Sequence, residues 1–241
     1  MKYILALFII FFLFISLFAE EMYFDISYLG VTVVKAKFNV DDTSIVVTAK
    51  STGLAKMLKS MDNKYVAKYA KKDTLYLPQY YKKNINQKSY KEKRLTKYNR
   101  EKNRAKLIDF YYPEKSKSYD IPKEIRDFFS TLFYLRFSLS DYLEFDIDAN
   151  SIFWRGIAEF VDNEELKLNG KTINTKKYKI TYKRISKEVK KENSDMLTNN
   201  LVGKGKVLFL WFTDDDLHIP VKAKFKMKPF SVFWYLTDYQ N

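Results

Sequence analysis

His218 is the only histidine in the chain and there is no cysteine, which leaves few residues able to do chemistry. His218 lies beside Asp214, Asp215 and Asp216, where a general base could pair with a carboxylate. No serine elbow or glycine-rich oxyanion site accompanies it, so His218 reads as a turn residue. The three aspartates could offer oxygens to Ca²⁺, but a calcium loop needs six or more oxygens at regular spacing. Aspartates also form turns by accepting backbone N–H groups, and that is the plainer reading here. Glu159, Asp162, Glu164 and Glu165 are acidic neighbours of the kind a glycosidase would set across a bond. In a strand and turn they read as a solvated hairpin end. No phosphate loop, dinucleotide fingerprint or zincin helix is present. Without cysteine there is no disulfide framework, thiol catalysis, thiolate zinc site or acylated lipoprotein cysteine. The residues therefore assign no catalytic group, metal or cofactor.

The remaining candidates are apolar and basic. Phe128, Phe129, Leu132 and Phe133 form a stripe at helical spacing. Such a stripe normally faces a core, and its functional alternative is the wall of an apolar cavity. Phe129, Phe133 and Trp211 are the expected lining of that cavity. Lys123, Arg126 and Arg136 are the expected cations at its mouth, able to hold an anionic headgroup.

The elements that must position these groups are mainly strands. From Tyr23 to Val40 apolar and polar residues alternate, Phe24, Ile26, Val34, Ala36 and Phe38 against Asp25, Lys35, Lys37 and Asn39. Period two predicts half-buried antiparallel strands. Further strands are expected from 45 to 111 and from 142 to 239, with a helical turn over Leu54–Met61 and a tight turn at Asn169-Gly170. In KSYKEKRLTKYN apolar residues are sparse, which predicts an exposed or edge strand. Ser186 to Gly205 is polar and reads as a mobile loop. In DIPKEIRDFFSTLFYLRF, Asp120, Pro122 and Glu124 precede apolar residues at i, i+3, i+4, i+7 and i+8 steps, predicting a helix from about Pro122 to Arg136. The fold class is mainly β, a curled antiparallel sheet or barrel-like single domain with one main amphipathic helix. A sheet of about a dozen strands curls or closes rather than staying flat.

Location is the clearest message. Lys2, the apolar run Tyr3–Phe18 and Ala19 have the form of an export signal, leaving residues 20–241 as one exported domain. The run would be about 24 Å long as a helix, so an uncleaved membrane anchor is the alternative. The 43 Lys and Arg exceed 29 Asp and Glu, for a net charge of +14, or +13 without Lys2. An exported basic domain could meet anionic lipid, and export argues against nucleic acid.

Several stretches resemble the bacterial exported family known as domain of unknown function 3108. They are FDISYLGVTVVKAKFNV, STGLAKMLKSMDNKYVAKY, IPKEIRDFFSTLFYLRF with Asp127, Ser130, Tyr134, Leu135 and Arg136, and LWFTDDDLHIPVKAKFKMKPFSVFWYL. The chain departs from the family's pattern with Phe at 129 and 230, where small residues are expected, and with a basic insert near Tyr80–Arg104. The resemblance implies an envelope β protein with no assigned activity. At the level of fold it is also similar to curled-sheet envelope carriers that shield acyl chains under a helix. The expected function is a non-catalytic periplasmic protein that binds a lipid or other apolar anionic ligand. The alternative is a structural or interaction module of the envelope with a solid core. An interior void of ligand size separates the two.

Overall fold

The computed structural model describes residues 19–58, 60–70, 75–138, 140–187, 195, 200–227 and 229–241. The expected export signal lies outside these apart from Ala19. Fourteen strands form one antiparallel sheet. The first eight are β1 (Glu20–Tyr28), β2 (Val31–Val40), β3 (Ser44–Ser51), β4 (Asp62–Tyr69), β5 (Pro78–Gln87), β6 (Tyr90–Asn99), β7 (Arg104–Asp109) and β8 (Lys117–Asp120). The last six are β9 (Tyr142–Asp148), β10 (Phe153–Leu168), β11 (Lys171–Arg184), β12 (Val207–Thr213), β13 (Pro220–Met227) and β14 (Phe230–Gln240). Helix α1 (Gly53–Leu58) lies between β3 and β4, and α2 (Phe128–Ser138) between β8 and β9.

The order β8-β7-β6-β5-β4-β3-β2-β1-β14-β13-β12-β11-β10-β9 is two meanders joined where β1 pairs with β14. Most steps are short local connections; the link through α2 carries the chain from one edge of the sheet to the other. Laid flat, fourteen strands would be about 62 Å wide. The 11-residue helix spans ~16 Å. The ten other residues of the link add ~34 Å at most. The link cannot reach across a flat sheet, so the sheet curls until β8 and β9 meet. The sheet is nonetheless not closed by backbone pairing.

Local signals set the turns. Leu29-Gly30 and Asn169-Gly170 have positive φ at both residues, the turn geometry that matches strand twist. The Asp41 carboxylate accepts the backbone N–H groups of Thr43 and Ser44, both at 2.7 Å, turning β2 into β3. Alternation then divides the faces: Met22, Phe24 and Ile26 of β1, Phe38 of β2, Val47 of β3 and Tyr65 of β4 are buried on the concave side. Gly156 of β10 lies under the ring of its partner Phe145, where a Cβ would overlap the ring.

The helix begins later than its sequence suggests. Ile125 donates to the Pro122 carbonyl in a turn, and Arg126 pairs with β9, donating to the Asp146 carbonyl and accepting from the Asp148 N–H. The cap is Asp127, whose carboxylate accepts the N–H groups of Phe129 and Ser130 and the Ser130 hydroxyl. Pro122 and Glu124 are thus turn residues. The apolar residues also do not form a single stripe: Phe129 to Phe133, Leu135 and Arg136 are all buried, because the curled sheet surrounds the helix. Phe129 packs against Phe38, Tyr65 and Tyr81 with ring centroids 5.0–6.4 Å apart.

Two polar stretches are also placed differently. β6 carries most of KSYKEKRLTKYN, yet it is an inner strand between β5 and β7, with Glu92, Arg94, Thr96 and Tyr98 buried. Its charges are neutralised from the neighbouring strands: Lys83 of β5 pairs with Glu92 at 2.5 Å and Asp109 of β7 with Arg94 at 2.7 Å. In the polar stretch 186–205, Asp195 is fully buried and accepts the Tyr65 hydroxyl and the Lys83 ammonium. Leu201 and Val202 are buried as well.

Burial pushes the Asp127 carboxyl up from the ordinary value near 3.8 to about 6. A carboxyl raised on folding binds its proton more tightly in the folded state, so its share of stability is present below pH ~4 and is lost as pH rises through 6. Asparagine keeps the capping oxygen and removes the titration. Wild type should therefore lose stability relative to Asp127→Asn between pH 4 and 7, read from urea midpoints; a gap that stays constant with pH would refute this. Phe129→Asp should cost at least ~3–5 kcal/mol by the same measurement. Lys123→Asp, at an exposed side chain, should change stability by less than ~0.5 kcal/mol.

Candidate functional site

The apolar space beside α2 is the natural place for a ligand. Phe24 and Phe38 of β1 and β2, Phe128, Leu132 and Leu135 of α2, and Trp234 of β14 line it, with Lys222 of β13 also on its wall. Its volume is about 30 Å³. Drug-sized ligands occupy about 300 Å³ or more, so the space is a packing void rather than a preformed pocket. One lining residue carries a buried polar atom without a partner. The buried Nε1 of Trp234 has no acceptor among the described residues. The Lys222 ammonium points away from it, towards the Trp211 ring, and burial displaces its pKa downward with Glu164 acting in the opposite sense.

Of the expected lining residues, none borders this void. Phe129 and Phe133 are each 1% exposed and face the first half of the sheet, Phe133 near Tyr76 at 6.3 Å. Trp211 lies on the convex face. Its Nε1 donates to the Glu164 carboxylate at 2.8 Å, and Lys222 and Lys177 stand over its ring at 4.3 and 5.2 Å. It is still only 3% exposed, because the β10–β11 hairpin extends past the ends of β9 and β12 and folds over this face. The Asn169 amide at the hairpin tip donates to the Thr237 carbonyl of β14. Glu164, which sequence alone places in a solvated hairpin end, is therefore a partner of Trp211 and of Lys177 at 2.5 Å.

The three expected headgroup cations are not gathered at one mouth. Arg126 and Arg136 lie at opposite ends of α2, each 1% exposed, and only the Lys123 side chain is exposed. Arg126 donates to the carbonyls of Leu75 and Glu124 and stacks on Tyr134 at 3.7 Å. Burial lowers its pKa to about 10. Arg136 donates to the Leu217 carbonyl and pairs with Glu20 at 2.5 Å. Both tie the helix ends to surrounding segments.

The turn at 213–219 is built by Asp215, which accepts the Thr213 hydroxyl and the N–H groups of Leu217 and His218. His218 adopts φ 44° there. Among the described residues, no group of three His, Cys, Asp or Glu could hold a metal ion. One buried polar cluster was not legible as a site. Asp148 at the end of β9 accepts the hydroxyls of Tyr98 at 3.3 Å and Tyr119 at 3.0 Å, and the Ser151 N–H. Burial raises the pKa of Asp148, Tyr98 and Tyr119 alike. The signal in sequence was only an Asp-Ala-Asn-Ser turn after an alternating strand.

The fold has relatives among solved structures. A beta-barrel-like protein of domain of unknown function DUF1849 from Brucella abortus superposes with a TM-score of 0.58 at 8% identity, over 94% of this chain and 98% of the other. That likeness is one of fold. A chain from Bacteroides fragilis described as an exported protein with a YmcC-like fold gives a TM-score of 0.29 at 7% identity, over 92% and 95% of the two chains. No curated protein matches the sequence significantly. The model of the family described as "Protein of unknown function (DUF3108)" matches residues 23–232, and the chain belongs to that family.

Proposed function

We propose that this is a non-catalytic protein of the bacterial envelope that acts through its outer surface, around a filled interior. The void of about 30 Å³ carries this reading. An interior that has already used its aromatic residues for packing has no room for an acyl chain. The export-type N-terminus supports an envelope location, and the absence of cysteine is compatible with one. The net charge of +13 without Lys2 favours anionic partners such as a membrane surface. Catalysis is disfavoured by the roles of the titratable groups: Asp215 builds a turn, Asp127 caps a helix and Asp148 joins strands.

The second reading keeps an apolar anionic ligand such as a lipid. The observation that favours it is the coincidence, at one void, of an almost wholly apolar wall and an indole N–H without an acceptor among the described residues. Carriage would require α2 to move outward.

A fluorescent long-chain fatty acid separates the readings. The filled interior predicts no saturable uptake at micromolar concentration. Saturable uptake by wild type, abolished by Leu132→Phe, which fills the void, would establish the second reading instead.

A further inference from the structure

The turn joining β6 to β7 carries a basic depression for which the packing of the protein has no use. It is open and about 650 Å³ in volume, within the range of ligand sites. Lys97, Arg100, Lys102, Arg104 and Lys106 border it, and Glu101 is the one acidic residue on its wall. This is the far end of the lysine-rich stretch from Tyr80 to Arg104.

Three features distinguish it from an ordinary lysine-rich surface. Lys97 and Lys106 are direct partners across β6 and β7. Like charges in that position destabilise a sheet unless an anion lies between them. Lys97, Arg100, Lys102 and Lys106 form no ion pair among the described residues, and the pair Arg104–Asp120 is solvent-exposed on both sides. Arg100 is also held in place. Its Nε and Nη2 donate to the Pro78 carbonyl at 3.2 and 2.8 Å, its Nη1 to the Lys123 carbonyl at 3.4 Å, and its plane lies over the Tyr98 ring at 4.8 Å. Holding a guanidinium with neutral carbonyls fixes its position at the rim, where burial lowers its pKa and Asp127 and Asp148 act in the opposite sense.

We propose that this depression binds a multiply charged phosphate group. Its demand is for compact negative charge: the exposed cations Lys97, Lys102, Arg104 and Lys106 border one open volume, with Arg100 half-buried at its rim, and a phosphate oxyanion can bridge opposed lysines and accept from Arg104 at once. A nucleic-acid base would need an exposed stacking platform, but the Tyr98 ring is buried beneath Arg100. The phosphate can belong to an anionic lipid headgroup or to a soluble polyphosphate. The inference rests on the reading of function through the outer surface and assigns the place on it.

The test uses residues 20–241, with inorganic tripolyphosphate followed by isothermal titration calorimetry at low salt. The variants are Lys97→Gln/Lys106→Gln and, as a control with the same net charge, Lys167→Gln/Lys171→Gln at the tip of the β10–β11 hairpin. One-site binding to wild type, weakened at least about tenfold in the first variant and unchanged in the second, is the expected result. Thermal melting should show the first variant no less stable than wild type, since a repulsive pair has gone, and should show tripolyphosphate raising the midpoint of wild type. Sedimentation with phosphatidic acid–phosphatidylcholine vesicles, whose phosphomonoester headgroup can carry two charges, against phosphatidylcholine alone, distinguishes the sources. Loss of vesicle binding in the first variant only points to a lipid headgroup; loss confined to tripolyphosphate points to a soluble anion. No tripolyphosphate binding, or equal weakening in both variants, would overturn the site. Vesicle binding that survives in every variant would then leave the surface reading standing, whereas saturable fatty-acid uptake would remove that reading itself.

Discussion

One buried carboxylate joins the two edges of the sheet. Asp148, at the end of β9, receives hydroxyls from Tyr98 of β6 and Tyr119 of β8, so the strands furthest apart in the hydrogen-bonded order touch through side chains. The Tyr119 ring also meets Phe153 of β10 at 5.8 Å. Burial makes the charge on Asp148 costly, and that cost is offset only while its hydrogen-bond donors stay in place. The contact therefore specifies how far the sheet must curl. Once it forms, α2 lies within the curl and its surroundings are fixed on nearly every side.

The rest of the interior follows from this closure. In the half built from β1, β2 and β12 to β14, the concave face is apolar and fills with Phe24, Phe38, Leu210 and Trp234 against the helix. In the half built from β4 to β7, it is charged. Lys83, Glu92, Arg94, Asp109 and Asp195 meet there with almost no exposure to water. Pairs buried this completely add little net stability, because desolvation consumes much of their attraction, but removing one member leaves a bare charge. They select one register and one curl over the alternatives. On the function proposed above, a filled interior leaves the outer face for partners, and among the described residues Lys97, Lys102 and Lys106 lie there without an ion pair.

Much of the fold was legible in the sequence because alternation survives wherever one face is apolar. Phe24, Ile26 and Phe38 announce their strands, and Asn169-Gly170 and Asp41 announce their turns. The pattern fails where burial is polar. β6 reads as exposed because Glu92 and Arg94 look like solvent residues, and their partners are distant in sequence or on neighbouring strands. The helix start was misplaced because Asp120-Ile-Pro imitates a cap, while the pairing of Arg126 with β9 that delays the helix is a long-range event. Trp211 was assigned to an interior because large aromatic residues usually lie there; the hairpin that covers it from outside depends on a bend that no local pattern encodes. The candidate cavity residues were thus core residues, as a stripe at helical spacing normally is. The opposed pair Lys97 and Lys106 required the strand register to be seen.

The central claim is that the seam is closed by Asp148, and a double-mutant cycle of Tyr119→Phe and Asp148→Ala tests it most directly. Urea unfolding of wild type, both single variants and the double variant gives the coupling energy. A hydrogen bond from a tyrosine to a buried charged group predicts a coupling of about 1–3 kcal/mol, with each single change nearly as damaging as both together. Additive effects would mean that the two edges do not depend on each other through this contact, and would contradict the account.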